Sequence, residues 1–165
     1  MLDFYGIYFY DNDLGNTMND DLYFMSEAIA EARLAAEIDE VPVGAVVVRD
    51  GEIIARAHNL RETAKNALCH AETMAVDAAC KALGGWRLPR CTLYVTLEPC
   101  PMCAGAIVNS RIERVVFGAY DRRAGAFGSV IDLNAYPLNH KPEIVGGVME
   151  EECRTMLQEF FKRKR

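Results

Sequence analysis

At 165 residues, 51% of them hydrophobic, the chain suits one domain with a full core. No apolar run reaches the roughly 20 residues that cross a bilayer, and residues 1 to 32 hold no Lys or Arg to head a secretory signal, so neither a transmembrane helix nor a signal peptide is supported and a cytoplasmic protein is expected. The net charge of -6 argues against a polyanionic partner only until it is divided: residues 1 to 40 carry ten acids against one Arg, and the remainder carries 17 cations against 14 acids.

Residues 1 to 17, rich in Asp, Asn and Tyr, show no apolar period and are expected to be a disordered extension or a translated upstream segment, with the functional domain spanning residues 18–165. Asn19 is a candidate N-cap for a helix to about Ile38, on which Leu22, Met25, Ile29, Ala32 and Ala36 recur near helical spacing. Val43 to Val48 and Glu52 to Ala57 read as strands joined at Asp50-Gly51, a hairpin turn. A helix from about His70 to Leu83 is ended by Gly84-Gly85, and Thr92 to Leu97 reads as a strand leading into a helix that opens at Cys100. Val115 to Gly118 predicts a fourth strand and Glu143 to Val145 a weaker fifth. From about Glu150 a last amphipathic helix carries Cys153, Met156, Leu157, Phe160 and Phe161. This alternation predicts an α/β fold with one sheet covered on both faces.

Chemistry concentrates in two segments, Cys69-His70-Ala71-Glu72 and Glu98-Pro99-Cys100-Pro101-Met102-Cys103. One imidazole and two thiols can hold zinc through His70, Cys100 and Cys103 and leave the fourth tetrahedral position for water, an arrangement of catalytic sites. Cys100 and Cys103, three apart, share a helix face at a dipole end that favours thiolate. Glu72 then stands as a proton carrier beside water whose pKa the metal lowers. Blander readings remain open: a lone C-x-x-C also serves structural zinc sites and redox pairs, and Cys69 could supply a fourth ligand. Glu72 could be a solvated helix carboxylate, since residues i and i+2 of a regular helix do not share a face. The other cysteines lie in apolar, periodic segments and are expected to be core or spare thiols. The terminal Phe160-Phe161-Lys162-Arg163-Lys164-Arg165 combines stacking surface with cations, as single-stranded RNA recognition requires, or is a solvated helix end.

The combination H-x-E with P-C-x-x-C is the signature of zinc-dependent nucleobase deaminases. Beyond it, Val41-Pro42-Val43-Gly44-Ala45-Val46, the stretches TLYVTLEPCPMCAGAIVNSRI (92–112) and RVVFGAYDRRAGAFGS (114–129), and the basic terminus resemble the bacterial tRNA-specific adenosine deaminases of the cytidine deaminase superfamily over roughly residues 20 to 165. The resemblance implies a cytidine-deaminase-like three-layer α/β/α fold with a five-stranded mixed sheet and a homodimer. It implies hydrolytic deamination of adenosine to inosine at the wobble position of tRNA, read on the anticodon stem-loop of an arginine tRNA. Residue by residue, it makes His70, Cys100 and Cys103 the ligands of one zinc per subunit and Glu72 the catalytic proton shuttle between water, N1 and the departing amine of the base. Asn59, otherwise a plausible turn residue, would bind the flipped nucleoside, Ala71 would contribute its backbone, and Asp121, Arg123, Asn139, His140 and Phe161 would hold flanking nucleotides. Two departures touch pocket shape: Cys69 stands where the family often has a small residue, and a proline frequent upstream is replaced within Lys65-Asn66-Ala67-Leu68. The competing readings are a guanine or cytosine-compound deaminase of the same superfamily, and a catalytically silent zinc-bearing subunit that binds RNA, against which the retained Glu72 argues.

Overall fold

Five strands, β1 (Gly44–Arg49), β2 (Glu52–His58), β3 (Cys91–Leu97), β4 (Arg114–Ala119) and β5 (Glu143–Gly146), form one sheet in the order β2-β1-β3-β4-β5. The computed structural model describes the backbone of residues 12–165 and the side chains of residues 17–165. β1 pairs antiparallel with β2 and with β3, while β3, β4 and β5 run parallel, so the sheet is mixed, as expected. The period of two along each strand sends side chains to two cores. Val46, Val48, Tyr94 and Val116 meet α1 (Asn12–Glu37) and α5 (Glu150–Arg163) through Met25, Ala28, Ile29 and Cys153. Ala45, Val47, Leu93, Val95 and Val115 meet α3 (Ala71–Leu83) and α4 (Pro101–Ser110) through Ala75, Ala79, Ala104 and Ile107. Burial on both faces is why β3 and β4 read as nearly unbroken apolar runs.

Helix α1 lies so close to β1 that a Cβ on Gly44 would fall 2.1 Å from the carbonyl oxygen of Ala28. A buried polar anchor fixes the same helix. The Tyr94 hydroxyl donates to Asp21 Oδ1 at 2.8 Å, and the Arg114 guanidinium forks both carboxylate oxygens at 2.7 and 2.8 Å. The three residues tie α1 to β3 and β4 with planar, charge-assisted geometry.

The sequence and the structure differ at the start of α1. The helix begins at Asn12, and Asn19, the expected cap, lies inside it. Residues 12–17 are therefore helical where a disordered extension was expected; residues 1–11 lie outside the described residues. Because Asp21 is held by the sheet, the turn around Asn19 is anchored without a side-chain cap. A single helical turn, α2 (Arg61–Ala64), and a 3-10 turn at Leu133–Ala135 were also not foreseen, being too short to show a period. All six cysteines are free thiols. Among the described residues no helix is long and apolar enough to cross a membrane.

Replacing Asp21 with Ala leaves a largely buried guanidinium and a hydroxyl without their acceptor, and should cost about 3 kcal/mol in urea unfolding. Lys81→Ala, which removes only an exposed pair with Asp77 on α3, should cost less than about 1 kcal/mol in the same measurement.

Candidate active site

The carboxyl end of β3 runs through Glu98 and Pro99 into α4, and Cys100 is the N-cap of that helix with Pro101 at its first position. Proline suits this place because the first helical N–H has no partner within the helix. His70 is likewise the N-cap of α3. Both caps have extended backbone and neither caps its helix through its side chain, so each side chain is free to turn toward the same point. His70 Nδ1 lies 3.7 Å from Cys100 Sγ and 3.5 Å from Cys103 Sγ. The three donor atoms fall within 4.8 Å of one another, and Cys69 does not belong to the group. One imidazole nitrogen and two sulfurs with a fourth side open suit zinc, and a closed structural site would need a further ligand.

The extended backbone at His70 also answers the objection that residues two apart on a helix face different ways. Glu72 is helical and His70 is not, and both line one cavity. Glu72 is buried, 4% exposed, and burial raises its carboxyl to about 7, against the opposing charge of His70. Such a group takes up and releases protons near neutrality. The hydrogen bond from Cys103 holds Cys100 down to about 4 despite burial, and His70 adds to that effect. Cys103, which donates that proton and is buried, is pushed well above the usual thiol range. Hydrogen bonding to Cys100 raises His70. Two helix N-termini thus converge on a pair in which Cys100 is poised to lose its proton while Cys103 retains its own, an arrangement whose second deprotonation a dication would favour.

The cavity measures about 400 Å³. Val41, Val43 and Leu97 supply apolar wall, Asn59, Ala71 and Glu72 line it beside His70 and Cys100, and Asp121, Arg123 and Phe161 reach it from the rim. Asn59 is 6% exposed and donates from Nδ2 to Glu40 Oε2 at 3.1 Å. An ionised carboxylate only accepts, so this bond fixes the amide and leaves Asn59 Oδ1 to accept from a bound base or sugar. Glu40 is fully buried and also receives the Thr63 N–H at 2.5 Å. Burial alone would raise the Glu40 carboxyl, yet the N–H groups of Thr63 and Glu62 and the charge of Arg61 outweigh it and hold it below the usual carboxylate range.

The MafB19-like deaminase family matches residues 18–165. The tRNA-specific adenosine deaminase of Bacillus subtilis is 58% identical over 149 residues, which cover 90% of this chain and 92% of that protein. The chain belongs to the tRNA-specific adenosine deaminase family. A solved structure from work on A-to-I editing by deaminases at the wobble position of transfer RNA superposes with a TM-score of 0.80 at 46% identity, covering 82% of this chain and 99% of that one. The guanine deaminase of Bacillus subtilis gives a TM-score of 0.57 at 40% identity, covering 59% of this chain and 63% of that one. The cytidine-deaminase-like three-layer architecture and five-stranded mixed sheet are those of this family.

Of the residues singled out in the sequence, the fold brings His70, Ala71, Glu72, Cys100, Asn59, Asp121, Arg123 and Phe161 to one cavity, with Cys103 behind the first ligand. Asn139 and His140 do not line it. His140 Nε2 donates to the carbonyl of Ile112 at 2.6 Å, just before β4 and at the far end of the ten-residue α4, which spans about 15 Å. Phe161 is 47% exposed on the last turns of α5, while Lys164 folds back onto Asp39. The sequence did not single out Glu40, Arg61 or the apolar Val41, Val43 and Leu97. Glu40 stands between Asp39 and Val41, so its place in the sequence gave no pointer to a buried carboxylate.

Proposed function

We propose that this deaminase converts adenosine to inosine at the wobble position of a tRNA, with an arginine tRNA as substrate, using one zinc held by His70, Cys100 and Cys103. The observation that carries the reading is the buried Glu72 carboxyl, raised to about 7, in the same cavity as the three-ligand group. Zinc bound there would supply Lewis acidity and lower the pKa of a water at its open position. Glu72 accepts a proton from the attacking water and delivers it to N1 of the base. It then takes the proton of the hydroxyl newly bonded to C6 and passes it to the amino group as the C6–N bond breaks, so that adenosine and water give inosine and ammonia. Asn59 Oδ1, fixed by Glu40, accepts from the extruded nucleoside, and the Ala71 backbone bounds the same site. A cavity of about 400 Å³ has room for an extruded nucleobase, in keeping with an anticodon loop that can extrude a base at low unstacking cost.

Asp121 and Arg123 on the rim, with Phe161 offering an exposed ring, hold the flanking nucleotides in this reading. Exposed apolar side chains at Val130, Ile131, Tyr136 and Leu138 support a homodimer. Asn139 and His140 adjoin that strip and lie away from the cavity, so they would meet RNA bound in the partner subunit. The catalytic domain is residues 18–165, where the family match also begins, and the protein acts in the cytoplasm, where its tRNA substrate is.

Inosine should form on a transcribed tRNA carrying adenosine at the wobble position and not on free adenine, guanine or cytidine. Glu72→Gln should retain one zinc per chain and lose at least about 100-fold in turnover. Faster release of ammonia from guanine or cytidine would instead establish the alternative deaminase reading. Retained turnover in the Gln variant would remove Glu72 from the chemistry.

Removing residues 162–165 should leave zinc in place and weaken tRNA binding. The slope of log affinity against log salt should fall by about 0.7 for each phosphate no longer neutralised. An unchanged slope would make the terminus a solvated helix end.

A further inference from the structure

Glu98 follows β3, two residues before Cys100, and its side chain is 1% exposed. A carboxylate so buried needs donors on both oxygens. All of them come from one loop. Oε1 accepts the N–H of Phe127 and that of Ser129, each at 3.1 Å. Oε2 accepts the Asp121 N–H at 3.0 Å and the Ser129 hydroxyl. Gly125 packs on the same group, where a Cβ would lie 2.3 Å from the carboxyl carbon. A further bond, from Ala126 N–H to the Pro99 carbonyl at 2.9 Å, ties the loop to the turn that bears the first cysteine ligand. At the start of this loop, Asp121 Oδ1 accepts the N–H groups of Arg123 and Ala124 at 2.9 and 3.3 Å, which fixes the two rim residues relative to each other.

We propose that Glu98 is a positioning residue whose carboxylate clamps the 121–129 loop to the metal-bearing turn and so sets Asp121 and Arg123 against the cavity. It borders the cavity between Leu97 and Cys100, but both of its carboxylate oxygens are taken up by the loop. Its role is to make the distance between the reacting centre and the RNA-holding rim a fixed property of the fold. A Lys or Arg side chain in its place could not do this, since only an acceptor with two oxygens can gather N–H groups from three residues of one loop. The consequence for binding rests on the reading of Asp121 and Arg123 as RNA contacts; the clamp itself does not.

The test uses the full chain loaded with zinc and the isosteric Glu98→Gln. Its amide presents one NH2 group to backbone donors that need an acceptor. Backbone amide exchange at Phe127 and Ser129 should quicken at least about tenfold, because the local opening that exposes them becomes easier. Zinc content should hold, kcat on a wobble-adenosine tRNA transcript should stay within about threefold, and KM should rise by at least about tenfold, the pattern of weakened binding with intact chemistry. Arg123→Ala should cost less in the Gln background than in the parent chain, because a rim already displaced has less left to lose. Unchanged exchange with unchanged KM would overturn the proposal. So would loss of zinc and kcat at constant KM, which would assign Glu98 to the metal turn alone. Should the Gln variant fail to fold, Ser129→Ala removes a single donor to the same carboxylate and must quicken exchange at Phe127; no change there overturns the clamp. If the parent chain shows no turnover on tRNA, the proposed function falls, while the exchange measurement still decides the clamp.

Discussion

Everything in the site depends on two helices beginning at the same point. His70 and Cys100 are 30 residues apart in sequence and on different helices, yet each is an N-cap, and both caps sit where α3 and α4 lie on one face of the sheet. An N-cap has extended backbone, so its side chain need not follow the helix face, and it stands where unpaired N–H groups and the helix dipole favour anionic ligands. Apolar packing of Ala75, Ala79, Ala104 and Ile107 against Leu93, Val95 and Val115 holds the two starts together. The ligand geometry is therefore maintained by the core, before any ion contributes.

The mixed sheet supplies the other half of the cavity. Because β1 runs antiparallel to β3, the beginning of β1 and the end of β2 arrive beside the carboxyl end of β3, where α/β sheets place their sites. That is how Val43 and Asn59 come to face residues from β3, α3 and α4. The link is direct: the Gly44 N–H donates to Thr96 Oγ1 at 3.2 Å, and the Asn59 N–H donates to the Val43 carbonyl at 3.0 Å. Two buried carboxylates then finish the walls. Glu40 orients the asparagine and Glu98 gathers the rim loop, each drawing on backbone N–H groups and so stabilising loops that have no regular ladder of their own.

His70, Cys100 and Cys103 could be named as a candidate metal group because ligand chemistry restricts both residue type and spacing, whereas spacing left the role of Glu72 open and the match to the deaminase signature supplied it. The strands were legible from their apolar runs and the Asp50-Gly51 turn. Glu40 and Glu98 were not, because nothing in a linear sequence separates a carboxylate that collects N–H groups in the interior from one solvated at the surface. The start of α1 was missed for a related reason: its anchor is the contact of Asp21 with Tyr94 and Arg114, residues 73 and 93 positions away. Resemblance placed Asn139 and His140 among the RNA contacts, but only the fold reveals that they lie away from this chain's own cavity.

The central claim is that the domain builds an open metal site with three protein ligands and room for water. X-ray absorption at the zinc edge of the purified, loaded protein tests it most directly. The account predicts two sulfurs near about 2.3 Å, one nitrogen near about 2.0 Å and one further light atom from water. Three sulfurs and one nitrogen, with the third sulfur lost in Cys69→Ala, would show a closed structural site and contradict it.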